Sequence, residues 1–339
     1  MFTGCGGGEC CVRLRTHGLN VHPFPKESWT MIEAHGLTKR YGKRTAVDGI
    51  TFTVQPGQVT GFLGPNGAGN STTMRMILGL DRPTAGRVLV NGRPYDQHRA
   101  PLREVGALLD AKAVHPARSA AKHLSVLAAT HGIRRSRVQE VMAMTGITEV
   151  ARKRIKGFSL GMGQRLGIAA ALLGDPKTVI FDEPVNGLDP EGVQWVRNLA
   201  RRLASEGRAV FLSSHLMSEM SQTADHLIVI GRGRIIADAP VSEILAQGQD
   251  RTLLRSDRTD LIRAGLAAEG IAFREVEPGQ LEVTGAEPRR IAWIAREQDA
   301  LIHELVPVRA TLEEAYMELT RDDVEYRSAV LAGAGEGTR

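Results

Sequence analysis

The fold is decided by the stretch Val59-Thr-Gly-Phe-Leu-Gly-Pro-Asn-Gly-Ala-Gly-Asn-Ser71, in which a short apolar segment runs into a glycine-rich loop. The segment Val59–Leu63 predicts a buried strand, and the apolar spacing beyond the loop predicts a helix over Ser71–Leu80. A strand, a glycine-rich loop and a helix in this order are the context in which such a loop binds phosphate. Its small residues let backbone N–H groups approach phosphate oxygens, which the positive end of the helix also attracts. We therefore predict a phosphate-binding loop here, with an ordinary tight turn as the alternative.

The loop Gly64–Ser71 has glycine at both positions that the phosphate-binding pattern requires, but it departs from that pattern at one residue. Asn70 stands directly before Ser71, where the pattern has lysine. The hydroxyl of Ser71 is placed to ligate Mg²⁺. The predicted phosphate contacts come from Gly64, Pro65, Asn66, Gly67, Ala68, Gly69, Asn70, Ser71 and Thr72.

Two adjacent acids follow a second apolar strand, in Thr178-Val-Ile-Phe-Asp-Glu-Pro184. This arrangement places Asp182 to hold Mg²⁺ through water and Glu183 to act as a base on a hydrolytic water. Paired acids at the end of a strand are by themselves usually solvated turn residues. The prediction of a hydrolytic site therefore depends on their joint appearance with the glycine-rich loop.

Three further polar elements lie close to these motifs along the chain. In Phe158-Ser-Leu-Gly-Met-Gly-Gln-Arg165, Ser159 and the backbone around Gly161 could offer donors to a phosphate at the start of a helix. A simple helix cap at Ser159 is the alternative. Asn186-Gly-Leu-Asp189 follows the acid pair, and His215 follows another predicted strand, although a lone histidine is more often structural than catalytic.

Strands and helices alternate through the middle of the chain, which predicts a largely parallel sheet. Ligands bind such sheets at the carboxyl ends of the strands, which is where the polar residues fall. After about Ala239 the order changes to strand, helix, strand, strand, helix, strand, followed by a final helix over Leu312–Leu319. That order is typical of a small ferredoxin-like α+β domain. The predicted fold class is therefore α/β with a small C-terminal α+β domain.

The composition indicates a globular protein, since 42% of the 339 residues are hydrophobic and 24% are charged. These values exclude a disordered chain, a collagen-like repeat and a disulfide-stapled mini-protein. Aromatic residues make up only 4%, so the chain has few side chains on which the bases of a single-stranded nucleic acid could stack. The longest apolar runs, such as Leu166–Gly174, are about half of what a membrane-spanning helix needs. The net charge is +5, and the lysine and arginine residues are scattered along the chain with acidic residues between them. This pattern favours an ordinary solvated surface over one that contacts phosphates or an acidic membrane face.

The ends of the chain differ from its middle. All three cysteines lie within residues 1–30, and a core without cysteine needs no oxidising compartment, so a cytosolic setting is expected. Residues 1–30 are predicted to be an extension that is either unstructured or a misassigned start. A first domain is expected over 31–239, an accessory domain over 240–320 and a flexible tail over 321–339.

The order of these motifs resembles that of the nucleotide-binding subunits of ABC transporters, from about Met31 to Ala239, which implies a P-loop NTPase fold. The loop looks like the Walker A motif, Phe181–Glu183 closes a Walker B motif, and Ser159–Met162 looks like the signature known as LSGGQ. Asn186–Asp189 resembles the D-loop, and His215 is similar to the switch histidine that contacts the γ-phosphate. Tyr41 sits where the family places an aromatic ring on adenine, and Asp110 stands where most members have the Q-loop glutamine.

The resemblance implies a motor that binds ATP and Mg²⁺ and works as a pair of subunits. Each ATP would lie between Walker A of one subunit and the signature of the other, and Glu183 would polarise the attacking water. The implied catalytic residues are Glu183 and His215; the implied nucleotide contacts outside the loop are Tyr41, Asp110, Ser159, Leu160, Gly161, Met162 and Asp189; and the implied metal ligands are Ser71, Asp110 and Asp182.

The implied setting is the cytoplasmic face of the cell membrane, where the motor would drive a separate multi-span membrane subunit. Val105–Pro116 and Thr311–Tyr316 look like the bacterial subgroup that exports drugs, antibiotics and lipids. A homodimer is the expected pairing, and no nucleic acid is expected as a partner.

Asn70 and Asp110 depart from the family pattern, and each makes the phosphate site one unit more negative. A lost charge-assisted hydrogen bond is worth roughly 1.5–3 kcal/mol, or about ten- to a hundredfold in ATP affinity. An ATPase-impaired regulatory or scaffolding subunit is therefore one alternative to an active motor. A soluble ABC ATPase that acts on ribosomes or DNA is another, although the chain has one cassette and no sustained heptads between Ser71 and Ser159.

Overall fold

The computed structural model describes residues 31–247, 251–308 and 311–319. The predicted extension over 1–30, which holds the three cysteines, and the predicted tail over 321–339 lie outside these residues, so the predictions made for them stay predictions. Within the described ranges, no helix combines the length and the apolar character that crossing a membrane requires.

Three sheets and their helices are formed in the described ranges. The first part of the chain contains β1 (Ile32–Tyr41), β2 (Arg44–Val54), β3 (Val59–Leu63), α1 (Asn70–Ile77), β4 (Ala85–Val90), α2 (Pro101–Glu104), β5 (Val105–Leu108), α3 (Ala120–Thr130), α4 (Arg135–Met144), α5 (Leu160–Ala171), β6 (Thr178–Phe181), α6 (Pro190–Ser205), β7 (Ala209–Ser214), α7 (Met217–Thr223), β8 (His226–Gly231) and β9 (Arg234–Pro240). The second part contains α8 (Val241–Gln247), β10 (Arg251–Ser256), α9 (Thr259–Ala268), β11 (Ala272–Glu277), β12 (Gln280–Thr284), α10 (Pro288–Glu297), β13 (Ile302–Val308) and α11 (Leu312–Leu319).

The central sheet has six strands in the order β5-β6-β7-β3-β8-β9. The first five run parallel to one another, and β9 joins the edge antiparallel to β8. Strands β3, β6 and β7 are buried along their whole length, as expected for parallel strands covered on both faces. The predicted largely parallel sheet is therefore confirmed, with an antiparallel strand at one edge.

Two separate cores cover the two faces of the central sheet. On one face, Val210 and Leu212 pack with helices α3 to α7. On the other face, Phe62 and Phe211 pack with α1 and with Phe52 of β2, and the ring centroids are 5.3–5.9 Å apart. Because successive side chains of a strand point to opposite faces, one apolar run supplies both cores.

A three-stranded antiparallel sheet in the order β2-β1-β4 forms the outer layer of the second core. Within this sheet, the apolar pattern of a strand is visible in the sequence only over Met31–Leu37 and Thr51–Val54. The strands extend well beyond those segments, and β1 pairs with β2 through several register shifts. A bulge moves side chains between faces, which removes the regular alternation that a sequence pattern depends on.

Helix α1 is shorter than the sequence predicted. It ends at Ile77, because Gly79 takes a left-handed backbone with φ of 66°. The N–H of Gly79 then donates to Met76 O, and the N–H of Leu80 donates to Arg75 O. These two bonds form a Schellman ending, which stops the helix three residues before the predicted end.

The C-terminal sheet has four antiparallel strands in the order β11-β12-β10-β13. Helices α9 and α10 contribute Ile262, Leu266, Ile291 and Ile294 to a core that they share with Leu254 of β10 and with β12. The sequence of elements and the strand order are those of a ferredoxin-like α+β unit, as predicted.

The last described helix, α11, packs on the first part of the chain. Its residues Leu312, Ala315 and Tyr316 are buried in the same core as Met220 of α7 and Ile244 of α8. An ion pair between Arg251 of β10 and Glu314 of α11 also ties the helix to the C-terminal sheet. The division into domains over 31–239 and 240–320 stays a prediction. Helix α11 contacts residues on both sides of that predicted boundary.

We expect Leu312→Ala to lower the free energy of unfolding by about 2–4 kcal/mol, because Leu312 is 1% exposed and its loss leaves a cavity. Met317→Ala in the same helix is the matched control, since Met317 is 64% exposed and should change stability by less than about 0.5 kcal/mol. Urea unfolding of both variants measures the difference. Equal losses would show that α11 does not pack on this core.

Candidate functional site

The carboxyl ends of four neighbouring strands bring the predicted site residues to one edge of the central sheet. The order β5-β6-β7-β3 places Asp110, the pair Asp182 and Glu183, His215 and the loop Gly64–Ser71 side by side at that edge. Only β7 separates the acid pair from the loop. The sheet therefore brings together motifs that lie far apart in the sequence.

Close packing explains why the loop needs glycine at the two positions that the phosphate-binding pattern requires, Gly64 and Gly69. A Cβ atom at Gly64 would lie 2.6 Å from Ile230 O, and one at Gly69, whose φ is 119°, would lie 2.8 Å from Ala46 O. Side chains at either position would collide with backbone that holds the loop in place. The loop is thus held closely between β2 and β8.

The first turn of α1 is open to an anion. Gly69 is the N-cap residue, no side chain caps the helix, and the first turn contains no acidic residue. Helix N-termini leave backbone N–H groups without partners inside the helix, and these groups attract negative charge. The geometry thus supports phosphate binding by this loop, ahead of the ordinary tight turn.

Asn70 folds back across the loop. Its Nδ2 donates to Gly64 O at 3.2 Å, whereas its Oδ1 is buried with no hydrogen-bond partner. A buried acceptor without a donor costs about 1–3 kcal/mol. The side chain therefore closes the loop on itself and brings it no positive charge.

The acid pair is organised by Ser213, a residue that the sequence analysis did not select. Its Oγ donates to Asp182 Oδ1 at 2.6 Å and accepts from the backbone N–H of Glu183 at 3.0 Å. Glu183 has a left-handed backbone with φ of 51°, a strained conformation of the kind found at functional sites. The visible signal was a polar Ser213-Ser214 pair at the end of an otherwise apolar strand.

Glu183 and His215 form a close pair, with Nδ1 of His215 2.8 Å from Oε2 of Glu183. Gln164 of α5 supports the turn by donating to Glu183 O at 3.3 Å. Burial raises the pKa of Glu183 above its ordinary value, and this effect outweighs the lowering by the hydrogen bond to His215. A carboxylate with a raised pKa is a stronger base, which suits the predicted role of Glu183.

Tyr41 lies at the edge of the site and is 49% exposed. Its hydroxyl donates to Asp81 Oδ2 at 2.9 Å, and Lys39 Nζ stands 5.0 Å from the ring centroid. Burial and the bond to Asp81 raise the pKa of Tyr41, whereas a hydrogen bond with Thr72 lowers it. The Tyr41 hydroxyl is therefore close to Thr72, the residue after the loop, and this position supports the predicted contact of the ring with adenine.

Asp110 lies one strand further along the edge. Its Oδ1 accepts from the N–H of Lys112 at 2.7 Å, which closes a local turn after β5. The neighbouring backbone is tied to the acid pair, because the N–H of Asp182 donates to Leu108 O at 2.7 Å. Asp110 keeps its second carboxylate oxygen outside this turn bond.

The predicted signature residues form a second, separate group. Ser159 caps α5 by accepting from the N–H of Met162 at 3.2 Å, so the simple cap is present. A Cβ at Gly161 would lie 3.3 Å from Gly187 O, which shows that the helix start packs on the segment Asn186–Asp189. In the part of the chain that the structure describes, no hydrogen bond or ion pair joins this group to the loop Gly64–Ser71.

Both sides of that second group reach the surface, since Leu160 and Asp189 are exposed. Leu160 is 45% exposed, and Asp189 caps α6 by accepting from the N–H of Gly192 at 2.9 Å. The structure therefore brings Ser159, Leu160, Gly161, Met162 and Asp189 together on the surface, apart from the loop of the same chain.

The donors at the sheet edge fit Mg²⁺. Asp182 has one carboxylate oxygen bound by Ser213 and the other outside that bond, and the Ser71 hydroxyl makes no side-chain hydrogen bond within the described ranges. No group of three or more histidine, cysteine, aspartate or glutamate side chains in those ranges could hold a metal. Mg²⁺ accepts such sparse coordination, because it keeps several waters and takes substrate phosphate oxygens as further ligands.

Comparison with known proteins identifies similar sequences along most of the chain. The family model for "ABC transporter" matches residues 47–186, and a model for a domain of unknown function matches residues 250–313. The Bacillus subtilis ABC transporter ATP-binding protein YhcH is 32% identical over 299 residues, which cover 87% of this chain and 98% of YhcH. The bacitracin transport ATP-binding protein BcrA of Bacillus licheniformis is 38% identical over 63% of this chain and 71% of BcrA. The lantibiotic transport ATP-binding protein SrtF of Streptococcus pyogenes is 36% identical over 61% of this chain and 90% of SrtF.

Solved structures share the fold. CbiO1 of Clostridium perfringens, part of the transporter complex CbiONQ, is 26% identical with a TM-score of 0.57 and covers 71% of this chain and 96% of its own. An ATP-binding subunit of an ABC transporter is 24% identical with a TM-score of 0.59, covering 64% of this chain and 93% of its own.

Proposed function

We propose, from the premise that this chain belongs to the family of ABC transporter ATP-binding proteins, that it is the ATP-hydrolysing motor subunit of an exporter. The cargo class is a drug, an antibiotic or a lipid, because transport of bacitracin and of a lantibiotic is named for two of its relatives. The observation that carries the proposal is the pair of Glu183 and His215, which lies one strand away from an uncapped phosphate-binding loop.

The nucleotide would extend from Tyr41 to the loop. The exposed ring of Tyr41 offers a stacking surface for adenine, and the backbone N–H groups of the loop and of the first turn of α1 offer donors to the phosphates. Ser71 and Asp182, with Asp110 nearby, would hold Mg²⁺, which neutralises phosphate charge when bound.

Hydrolysis uses Glu183 as the base. The carboxylate accepts a proton from a water while the oxygen of that water forms a bond to the γ-phosphorus, and the bond from that phosphorus to the β-γ bridging oxygen breaks to release ADP. His215 holds the Glu183 carboxylate through its Nδ1 and keeps its other ring nitrogen for the γ-phosphate. Ser213 fixes the turn that carries the acid pair.

A second copy of the chain would complete each site. Ser159 and Leu160 are exposed, and in the described residues the group Ser159–Met162 has no bond to the loop of its own subunit, which supports a role towards the nucleotide of a partner subunit. Head-to-tail pairing would bring this group over the partner's loop. ATP binding would then close the dimer, and hydrolysis would open it.

The dimer would act on a separate multi-span membrane subunit from the cytoplasmic face of the membrane. Two of the relatives are named as transport ATP-binding proteins, which supports a membrane subunit as the partner. An ATPase-impaired regulatory or scaffolding subunit is the second candidate, and the neutral Asn70 side chain is the observation that favours it.

Titration of the purified chain with labelled ATP, with and without Mg²⁺, tests the proposal. We expect saturable binding that Mg²⁺ strengthens, and a loss of the Mg²⁺ effect in Ser71→Ala because the alanine removes a metal ligand. Ser136→Ala is the control, since Ser136 is an exposed residue of α4. Absence of ATP binding under both conditions would contradict the motor and favour the scaffold.

A further inference from the structure

We propose that Arg44 supplies the positive charge to the bound phosphates that this loop lacks at Asn70. The inference rests on the proposed function, because it assigns a further residue to the same nucleotide site. Arg44 belongs to none of the motifs that the sequence analysis selected, and it lies on β2, outside the loop.

The first support is the register of the β1–β2 hairpin. Arg44 is the direct partner of Tyr41 across the two strands, with only Gly42 and Lys43 in the turn between them. Side chains of directly opposite residues in an antiparallel pair lie on the same face of the sheet. The guanidinium of Arg44 is therefore on the same face as the exposed ring of Tyr41.

The second support is the distance to the loop. An Nη2 atom of Arg44 lies 3.6 Å from the position that a Cβ at Gly67 would occupy. Gly67 is exposed and has a φ of 84°, so the loop has no side chain between its backbone and the guanidinium at this point. The strand continues against the loop, since Ala46 O limits the space at Gly69. Arg44 thus reaches the loop from the side of the adenine surface.

The third support is that three of the other basic side chains near the hairpin are already bonded. Arg75 is paired with Asp81 and Arg234 with Asp48, each at 2.9 Å or less, while Lys39 donates to Arg82 O at 2.7 Å. For Arg44, the part of the chain that the structure describes shows neither a side-chain hydrogen bond nor an ion pair. Arg40 and Lys43 share with Arg44 this lack of a side-chain hydrogen bond or ion pair in the described residues, and of these three Arg44 is the one found beside Gly67. Its five N–H donors are thus free of competing protein partners.

The chemistry of arginine fits the phosphates between the adenine and the loop. Its planar guanidinium donates two parallel hydrogen bonds to phosphate oxygens, and it keeps its charge at any physiological pH. Because Arg44 approaches from the side of Tyr41, its contact is with the phosphates nearest the ribose, which ADP and ATP share. Arg44 is therefore a binding residue for both nucleotides. It does not replace the lysine that would stabilise the negative charge developing on the γ-phosphate during hydrolysis.

The test is a binding cycle with fluorescent ADP and ATP, measured for Arg44→Gln in the natural chain and in the Asn70→Lys background. We expect Arg44→Gln to weaken the binding of both nucleotides by about tenfold or more in the natural chain. In the Asn70→Lys background the loss should fall to about threefold or less, because the lysine provides the missing charge. Arg44→Lys should retain most of the affinity.

Lys43→Gln is the matched control, since it removes one positive charge from the exposed turn next to Arg44. Its affinity should change by less than about twofold. Equal losses for Arg44→Gln and Lys43→Gln, or the same loss for Arg44→Gln in both backgrounds, would overturn the role of Arg44. Absence of binding in every variant, Asn70→Lys included, would instead overturn the proposed function and this inference with it.

Discussion

Replacing Asn70 by lysine is expected to raise ATP hydrolysis at least about tenfold in purified, dimerisation-competent protein. The lysine ammonium would bring to the loop the charge that steadies the γ-phosphate as negative charge develops in the transition state. It would also remove the buried Oδ1 of Asn70, which has no partner. Phosphate release at saturating ATP and Mg²⁺ measures the change.

Asn70→Met is the matched control, because methionine has a long unbranched side chain without the charge. It should leave hydrolysis at or below the rate of the natural chain. A rise with methionine equal to that with lysine would mean that relief of the buried amide, rather than charge, limits the natural loop. Equal rates for the natural chain and Asn70→Lys would contradict our interpretation of Asn70.

Glu183→Gln is expected to lower hydrolysis by at least about a hundredfold and to leave ATP affinity within about threefold. Glutamine has nearly the size of glutamate, but it cannot accept the proton of the attacking water. The effect is best measured in the Asn70→Lys background, where the starting rate is higher. Glu149→Gln is the control for the loss of one carboxylate, since Glu149 is exposed and follows α4. A comparable rate for Glu183→Gln would show that another group is the base.

The pH profile gives an independent measure of the same residue. Burial raises the pKa of Glu183 above the ordinary 4.5, and only the deprotonated carboxylate accepts a proton. Hydrolysis is therefore lost as the pH falls through this raised pKa, at a higher pH than for an exposed glutamate. In His215→Ala the hydrogen bond that lowers this pKa is gone, so the acid side of the residual profile moves to higher pH.

The central fold could be predicted from local sequence motifs. The strand β3, the glycine-rich loop and the start of α1 follow one another without a gap, and strand β6 runs directly into its two acids. In such segments the apolar pattern and the polar residues that act together are neighbours in the chain. The C-terminal order of elements was equally visible, because each strand and helix has its own period of apolar residues.

Contacts between distant segments of the chain could not be predicted from the sequence. The role of Ser213 depends on a bond to Asp182 across two strands, and the burial of α11 depends on α7 and α8. The position of Arg44 beside the loop depends on an irregular hairpin register. The type of an apolar or basic residue does not indicate which distant segment it will contact in the folded protein.

By itself the sequence determined the largely parallel sheet, and it predicted the phosphate-binding loop and the hydrolytic acid pair that the sheet carries, because these are local patterns of size, polarity and period. It also determined that the loop has asparagine where the pattern has lysine. Only the tertiary structure decided that Glu183 meets His215, that Asn70 closes the loop on itself and that Arg44 lies beside it with no side-chain partner among the described residues. Those outcomes depend on strand order and packing, which set distances between residues that are remote along the chain.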